Sequence, residues 1–460
     1  MSTTEMLTST RRRTSILLFL FVLAVYLANL RAHDSGDTRP ARYLPISILR
    51  DADFDLNEFP ALLDSKTSRG PDGETPYNLV NVEGRYYSKF PVGTAVLALP
   101  VYALPVLAGM GPESPWLPHV EALAAALIVA FSVLFFYWTV RELTEERPAL
   151  LVALAYAFGT SSLSLSSQAL WQHGPGQFFL TLALLGLVRA RTNALYWILA
   201  GFAMGAAVAV RPTNALLVLP LGLYSLHRHA RQVWLVAAGA IAPILLLKTY
   251  NFLHFGSPLE SGYTLGMDAA GENHLLATPL LEGLAGLLLS PGRGLLVYSP
   301  IFLLVVIGAY RLWRAGDWLW RYVIFAPALL LLGQSKLAAW WGGWCYGPRY
   351  LVEATPFLCL LLFPVVEELP RRPALASVFA LLLLFSIGAH GIGAFGYNGS
   401  WDANPDVNKN THRLWSIRDN PILEYARHAY WNVGSIFHRL RETLRRERDQ
   451  ATSMALGNSL

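Results

Sequence analysis

The sequence predicts an all-α polytopic membrane protein, with about 11 transmembrane helices and juxtamembrane helices in the first external loop. Three observations carry that expectation. Of 460 residues 54% are hydrophobic and only 15% charged, with a mean hydropathy of +0.38, whereas a soluble chain carries roughly 25% charged residues. Apolar stretches recur at the length that crosses a bilayer, which is about 20 residues for a core of about 30 Å. Lysine and arginine gather in the short connections between those stretches, as membrane topology requires.

Taken in order, Arg11, Arg12 and Arg13 precede an apolar run from Ser15 to Leu30. No small-x-small cleavage site follows before a soluble domain, so this run reads as a first membrane helix. Further spans are expected at 119–140, 149–167, 174–190, 195–210, 213–226, 232–252, 295–313, 319–337, 350–368 and 373–396. The connections Arg141 with Arg147, Arg189 with Arg191, His227 to Arg231, Arg311 with Arg314, and Arg371 with Arg372 join Arg11 to Arg13 as basic loops. The positive-inside rule places them on the cytoplasmic face. One crossing then fits between the first external loop (32–91) and the basic loop at 141–148, and 119–140 supplies it. The apolar run 92–110 is therefore expected to be juxtamembrane or re-entrant, with Pro100 and Pro105 interrupting a regular helix. The long polar segments 32–91, 253–294, 338–349 and the tail from 397 fall outside.

The net charge of +5 and pI near 9.1 point to topology and not to nucleic acid, because the basic residues flank apolar spans. Cys345 and Cys359 lie in or near apolar segments and make neither a disulfide framework nor a zinc site. There is no phosphate-loop signature, no H-E-x-x-H and no paired C-x-x-C. An activated donor would therefore arrive with a lipid.

Candidate chemistry lies in the outer segments. Asp34 and Asp37 follow directly on the first span, where a carboxylate beside an apolar wall can act as a base; the plain alternative is an acidic turn before a short helix. Lys89 stands among aromatics where the chain re-enters apolar sequence. It suits either a lipid phosphate or simple snorkelling. His173, in Trp171-Gln172-His173, is a candidate ligand, proton carrier or loop residue. Arg211, by this topology external, calls for an anionic partner. Arg293 sits in a Gly- and Pro-rich loop, and Asn251 in another (250–258). Trp344, Tyr346, Arg349 and Tyr350 belong to a loop with Gly342-Gly343 and Gly347-Pro348, where aromatic faces can pack against sugar C–H groups.

In this order the motifs resemble the polyprenyl-phosphate-dependent GT-C glycosyltransferases, the class of protein O-mannosyltransferases and the lipid A aminoarabinose transferase. The set is Gly36-Asp37-Thr38, Lys89-Phe90-Pro91, Trp171-Gln172-His173, Arg211-Pro212, Tyr250-Asn251 with Phe255 to Pro258, and Gly342-Gly343 with Gly347 to Tyr350. The resemblance covers the chain to about residue 396. It implies a GT-C-like transmembrane catalytic domain over 1–396 and a short external tail over 397–460, whose end, Arg439 to Arg448, reads as a basic surface helix. It implies Asp37 as base on the acceptor, with Asp34 as its neighbour. Lys89, Arg211, Arg293, Arg349 and Tyr350 would face the donor's lipid phosphate. His173, Asn251, Trp344 and Tyr346 would face acceptor or sugar. The family's aminoarabinose branch places a metal near a later outer loop; His173 stands nearest that place, which makes a divalent metal the one candidate cofactor. The expected function is transfer of a sugar from a polyprenyl-phosphate donor to an acceptor at the external face of the cell membrane. Two other classes compete with it: a flippase for lipid-linked sugars, which calls for intramembrane polar pathways and repeats, and a non-catalytic assembly partner.

Overall fold

The computed structural model describes residues 3–64, 69, 73–270, 276–427, 441 and 445. It is helical nearly throughout. The helices are α1 (Thr3–Leu27), α2 (Arg39–Arg50), α3 (Pro60–Leu63), α4 (Gly93–Leu107), α5 (Leu117–Arg141), α6 (Glu146–Phe158), α7 (His173–Arg189), α8 (Leu195–Val210), α9 (Ala215–Arg228), α10 (Val233–Phe255), α11 (Gly262–Ala270), α12 (Leu280–Leu289), α13 (Leu295–Tyr298), α14 (Val305–Arg314), α15 (Trp318–Ser335), α16 (Thr355–Leu360), α17 (Phe363–Val366), α18 (Pro373–Gly396) and α19 (Ser400–Ala403).

Among the described residues three helices are long and apolar enough to cross a membrane: α5, α10 and α18. A fourth span arises if the pair Arg349–Leu360 and Phe363–Arg371, bent by 43°, is counted as one. Every other apolar segment of the sequence is helical too, but several are shorter or broken, so the count of about 11 spans does not follow from helix length. The break in 149–167 is a five-residue π-helical turn, Ser162–Ser166, after Gly159. Pro300 divides 295–313, where a 3-10 turn separates α13 from α14.

Two local expectations are corrected. Pro100 and Pro105 do not interrupt α4, which runs through both. Each proline leaves a carbonyl four residues back without its helical donor, yet the buried face Thr94, Ala95, Ala98, Tyr102 and Val106 holds the helix against the residues below the first loop. At 15 residues α4 is about 22 Å long, short of a full crossing. The first loop also contains a hairpin, β1 (Leu79–Val82) and β2 (Arg85–Ser88), paired antiparallel with Val82 opposite Arg85. Glu83 and Gly84 both have positive φ, the two-residue turn that matches strand twist.

The main core gathers α1, α5 to α10 and α12 to α18. A close seam joins α8 and α10, where a Cβ at Gly201 or Gly239 would overlap backbone of the facing helix, the small-residue contact typical of membrane helices. A second cluster lies beneath the first loop, with Leu44, Ile46, Leu56 and Phe59 on Ala124, Ala125 and Ile128 of α5. The tail to residue 427 packs back on the tryptophan loop: Trp341 Nε1 donates to Asn408 at 2.9 Å and Trp344 Nε1 to Asp406 at 3.0 Å. The expected basic helix Arg439–Arg448 lies, but for Arg441 and Arg445, outside the described residues.

Candidate active site

Above α7 the chain brings together one carboxylate from the first loop and charged groups from three later segments. Asp37 precedes α2 and carries the ion pair to Arg349, the first residue of the 3-10 turn Arg349–Ala354. Its other oxygen accepts the Tyr77 hydroxyl at 2.7 Å. Gly36 makes that approach possible, since an added Cβ would overlap the Tyr77 hydroxyl. Arg349 is over the Trp171 ring at 4.4 Å, a geometry that suits a guanidinium on an aromatic face. Its Nη1 donates to Gly342 O at 3.1 Å. Gly342, Gly343 and Gly347 all have positive φ, which explains why this loop is glycine-rich.

His173 opens α7 and is buried. Its Nδ1 lies 2.9 Å from Glu353 Oε1, and its Nε2 faces Arg349 Nε at 3.3 Å and Arg211 Nη1 at 3.4 Å. Neutral imidazole satisfies this arrangement, with Nδ1–H donating to the carboxylate and Nε2 accepting. Arg211, the cap of α8, completes the cluster with an Nε–Glu353 Oε1 contact of 3.1 Å. Two carboxylates and two guanidiniums thus pair around one neutral imidazole.

Burial raises the pKa of Asp37, but Arg349 and the Tyr77 hydroxyl outweigh it and hold the carboxyl below its ordinary value. The carboxylate is charged and spoken for while Arg349 faces it.

Lys89 enters from the end of the hairpin. Its N–H donates to Asn78 O at 3.0 Å, and its side chain lies across α11, where a Cβ at Gly266 would stand 2.7 Å from Cε and 3.1 Å from Nζ. The Lys89 ammonium has no ion-pair partner among the described residues. Phe90 packs edge-on against Tyr263 at 5.7 Å. The Tyr263 hydroxyl donates to Gln172 Oε1 at 3.0 Å and feels Arg211, Asp37 and Arg349 electrostatically. Tyr350 lies within electrostatic range of Arg349, Arg211 and Asp37.

Other sequence candidates lie elsewhere. Asp34 is 52% exposed and bound to Arg39 at 2.6 Å and Arg42 at 3.2 Å, with no bond to the cluster. Arg293 is 1% exposed and pairs with Asp402. Three further donors go to the carbonyls of Trp341, Gly343 and Gly292, so four of its five N–H groups are committed within this loop and the tail. Tyr346 is buried, its hydroxyl on Ala389 O at 2.7 Å. Asn251, expected in a loop, lies buried in the last turns of α10, its Nδ2 3.5 Å from Pro258 O just beyond the helix. Trp344 is 47% exposed and offers its ring to solvent. His173 does not fit a metal ligand: one nitrogen serves Glu353 and the other faces two cations. Among the described residues no group of three or more His, Cys, Asp or Glu gathers at metal-binding distance.

Sequence reasoning missed Glu353, Tyr77 and Glu121. Glu121, buried in α5, binds Arg42 of α2 and accepts the Leu170 N–H at 3.2 Å. It ties the loop carrying Asp37 to the corner carrying His173. Glu121 and Glu353 each carried one signal, an acidic residue inside an apolar run.

The family model for dolichyl-phosphate-mannose-protein mannosyltransferases matches residues 120–250. That stretch includes His173 and Arg211, and excludes Asp37, Lys89, Arg349 and Glu353. The chain is similar in fold to ArnT of Cupriavidus metallidurans bound to undecaprenyl phosphate, at 14% identity and a TM-score of 0.53, over 92% of this chain and 69% of that one. The apo state of the same protein matches at 13% identity and 0.50, over 94% and 78%. The oligosaccharyltransferase AglB of Archaeoglobus fulgidus, in complex with an inhibitory peptide and a dolichol-phosphate, gives 13% and 0.48 over 88% of this chain. This chain spans 60% of AglB's length. No curated protein matches the sequence. The resemblance to polyprenyl-phosphate-dependent GT-C glycosyltransferases, drawn above from motifs, is thus shared by a family model and by fold.

Proposed function

We propose that this chain is a membrane glycosyltransferase that moves a sugar from a polyprenyl-phosphate donor to an acceptor hydroxyl, at the membrane face bearing Asp37. The topology argument above makes that face external, with residues 1–396 as the catalytic domain and 397–460 as the tail. The observation that carries the reading is the pairing of Asp37 with Arg349, 312 residues away in sequence, with Lys89, which has no ion-pair partner among the described residues, entering from the end of the hairpin in the same first loop.

In the resting site Arg349 is neutralised by Asp37. A donor phosphate competes for Arg349 and Lys89, since both offer charge-assisted hydrogen bonds to phosphate oxygens. Arg349 is then shared, and the burial that raises the Asp37 pKa is no longer fully offset. Donor binding makes Asp37 a stronger base at the moment it is needed. The acceptor oxygen attacks the anomeric carbon, its proton passes to Asp37, and the bond from that carbon to the phosphate oxygen breaks. The lipid phosphate leaves with one more negative charge, which Lys89 and Arg349 stabilise at a partly desolvated site. Arg211 and Glu353 hold His173, and His173 holds Arg349. Tyr350 and the exposed Trp344 ring line the approach.

The test is a panel of radiolabelled polyprenyl-phosphate sugars given to the purified chain, reading free polyprenyl phosphate. Release from one donor that is lost in Asp37→Asn supports the reading. Equal release by the variant removes Asp37 from the mechanism. Movement of the intact lipid across liposomes without release would make the chain a flippase.

A further inference from the structure

The far end of the bundle holds a second site that the transfer reaction does not use. Helix α5 places Glu121 beside the Asp37 loop and Arg141 at its other end, about 30 Å away at helical rise. There a cavity of about 630 Å³ opens between α1, α5 and the end of α7, within the usual size of a small-ligand pocket. Its wall is apolar and partly exposed, with Ile16, Phe19, Leu20 and Phe131 along it. Its rim brings in Arg12, Arg141 and Arg189 from three helices, against one acidic residue, Glu142.

That acid is already occupied, because Arg189 binds Glu142 at 3.0 Å. Arg12 is exposed and has no ion pair among the described residues. Arg141 gives Nη1 to Thr144 O, while its Nε is buried with no hydrogen-bond partner. An orphaned buried donor calls for an acceptor. Ordinary snorkelling would turn each arginine outward to water separately; here they converge on one apolar groove.

We propose that this groove binds an anionic phospholipid of the surrounding leaflet, with an acyl chain along Phe19, Leu20 and Phe131 and its phosphate between Arg12, Arg141 and Arg189. The occupant is a resident lipid and not the donor, since a headgroup held here stands a membrane's thickness from Asp37.

Native mass spectrometry of the detergent-purified chain, incubated with phosphatidylglycerol or phosphatidylcholine, tests the proposal. Preferential retention of phosphatidylglycerol is expected. Arg12→Gln breaks no hydrogen bond or ion pair among the described residues; with an unchanged unfolding midpoint, it should weaken retention roughly five-fold, from about 1 kcal/mol per basic residue at an anionic surface. Arg141→Gln should weaken it further. Equal retention of the two lipids, or retention unchanged in both variants, overturns the site. Displacement of phosphatidylglycerol by an equimolar polyprenyl phosphate, with Asp37→Asn unaffected, would replace the proposed occupant with the donor lipid.

Discussion

Two arginine–carboxylate pairs join distant parts of this chain, and they differ in what surrounds them. Arg293 and Asp402 are 1% and 0% exposed, and every further donor of Arg293 described above ends on a backbone carbonyl. Arg349 and Asp37 are 14% and 18% exposed. Arg349 is shared with His173 and stands over Trp171, and Asp37 holds a hydroxyl that could be exchanged for a substrate's. The first pair fastens the tail to the tryptophan loop. The second is held in balance by neighbours that a ligand can displace. On the proposed reading, the same two functional groups serve fixation when sealed and chemistry when one side remains open.

Breaking the open pair should have the largest effect. Asp37→Asn keeps the shape of the side chain and removes the base, so sugar transfer should fall on the order of 10²–10⁴-fold, with expression and thermal unfolding near wild type. Lys89→Ala should cost about a hundredfold in turnover by removing one donor to the leaving phosphate. Gly266→Leu should reproduce part of that loss with Lys89 still present, because the new side chain would occupy the path of Cε. Single-turnover rates with a saturating donor check all three.

The sealed pair should behave in the opposite way. Arg293→Ala leaves Asp402 buried without its partner, which typically costs 3–5 kcal/mol. The effect should appear as a lowered unfolding midpoint, with transfer by the folded fraction reduced far less than in Asp37→Asn. A variant of normal stability and no activity would place Arg293 in the reaction instead.

Tyr77→Phe should give the smallest effect and sharpen the comparison. The Tyr77 hydroxyl is one of three groups, with Arg349 and His173, that lower the Asp37 pKa against burial. Its removal raises that pKa toward the ordinary value. The charged, paired state of Asp37 is present above the unfolded pKa and is lost as pH falls through the lower folded one. The acidic limb of the resting enzyme's pH–activity profile should therefore move to higher pH in the variant. An unmoved limb would mean that another group sets it.

Much of this was legible in the sequence, unevenly. Helical segments followed from apolar runs, and Asp37, Lys89, His173, Arg211 and Arg349 stood out because charge and glycine are rare beside membrane helices. Only the resemblance of Gly36-Asp37-Thr38 set Asp37 apart from Asp34; the physical difference was not legible, because it depends on Arg349 arriving from the far end of the chain. Arg293 looked like Arg349 in a similar loop, and only the buried Asp402 in the tail separates them. Glu353 and Tyr77 were passed over, one lying inside an apolar run and the other in a loop without a motif. The hairpin hid behind Glu83, a residue uncommon at positive φ. The breaks at Ser162–Ser166 and Pro300 are local departures that hydropathy averages away.

The most direct test of the central claim is release of free polyprenyl phosphate from a labelled donor, with wild type, Asp37→Asn and Asp402→Asn measured side by side. The open-pair reading predicts release by wild type and Asp402→Asn and almost none by Asp37→Asn. Release by Asp37→Asn at the wild-type rate would contradict it.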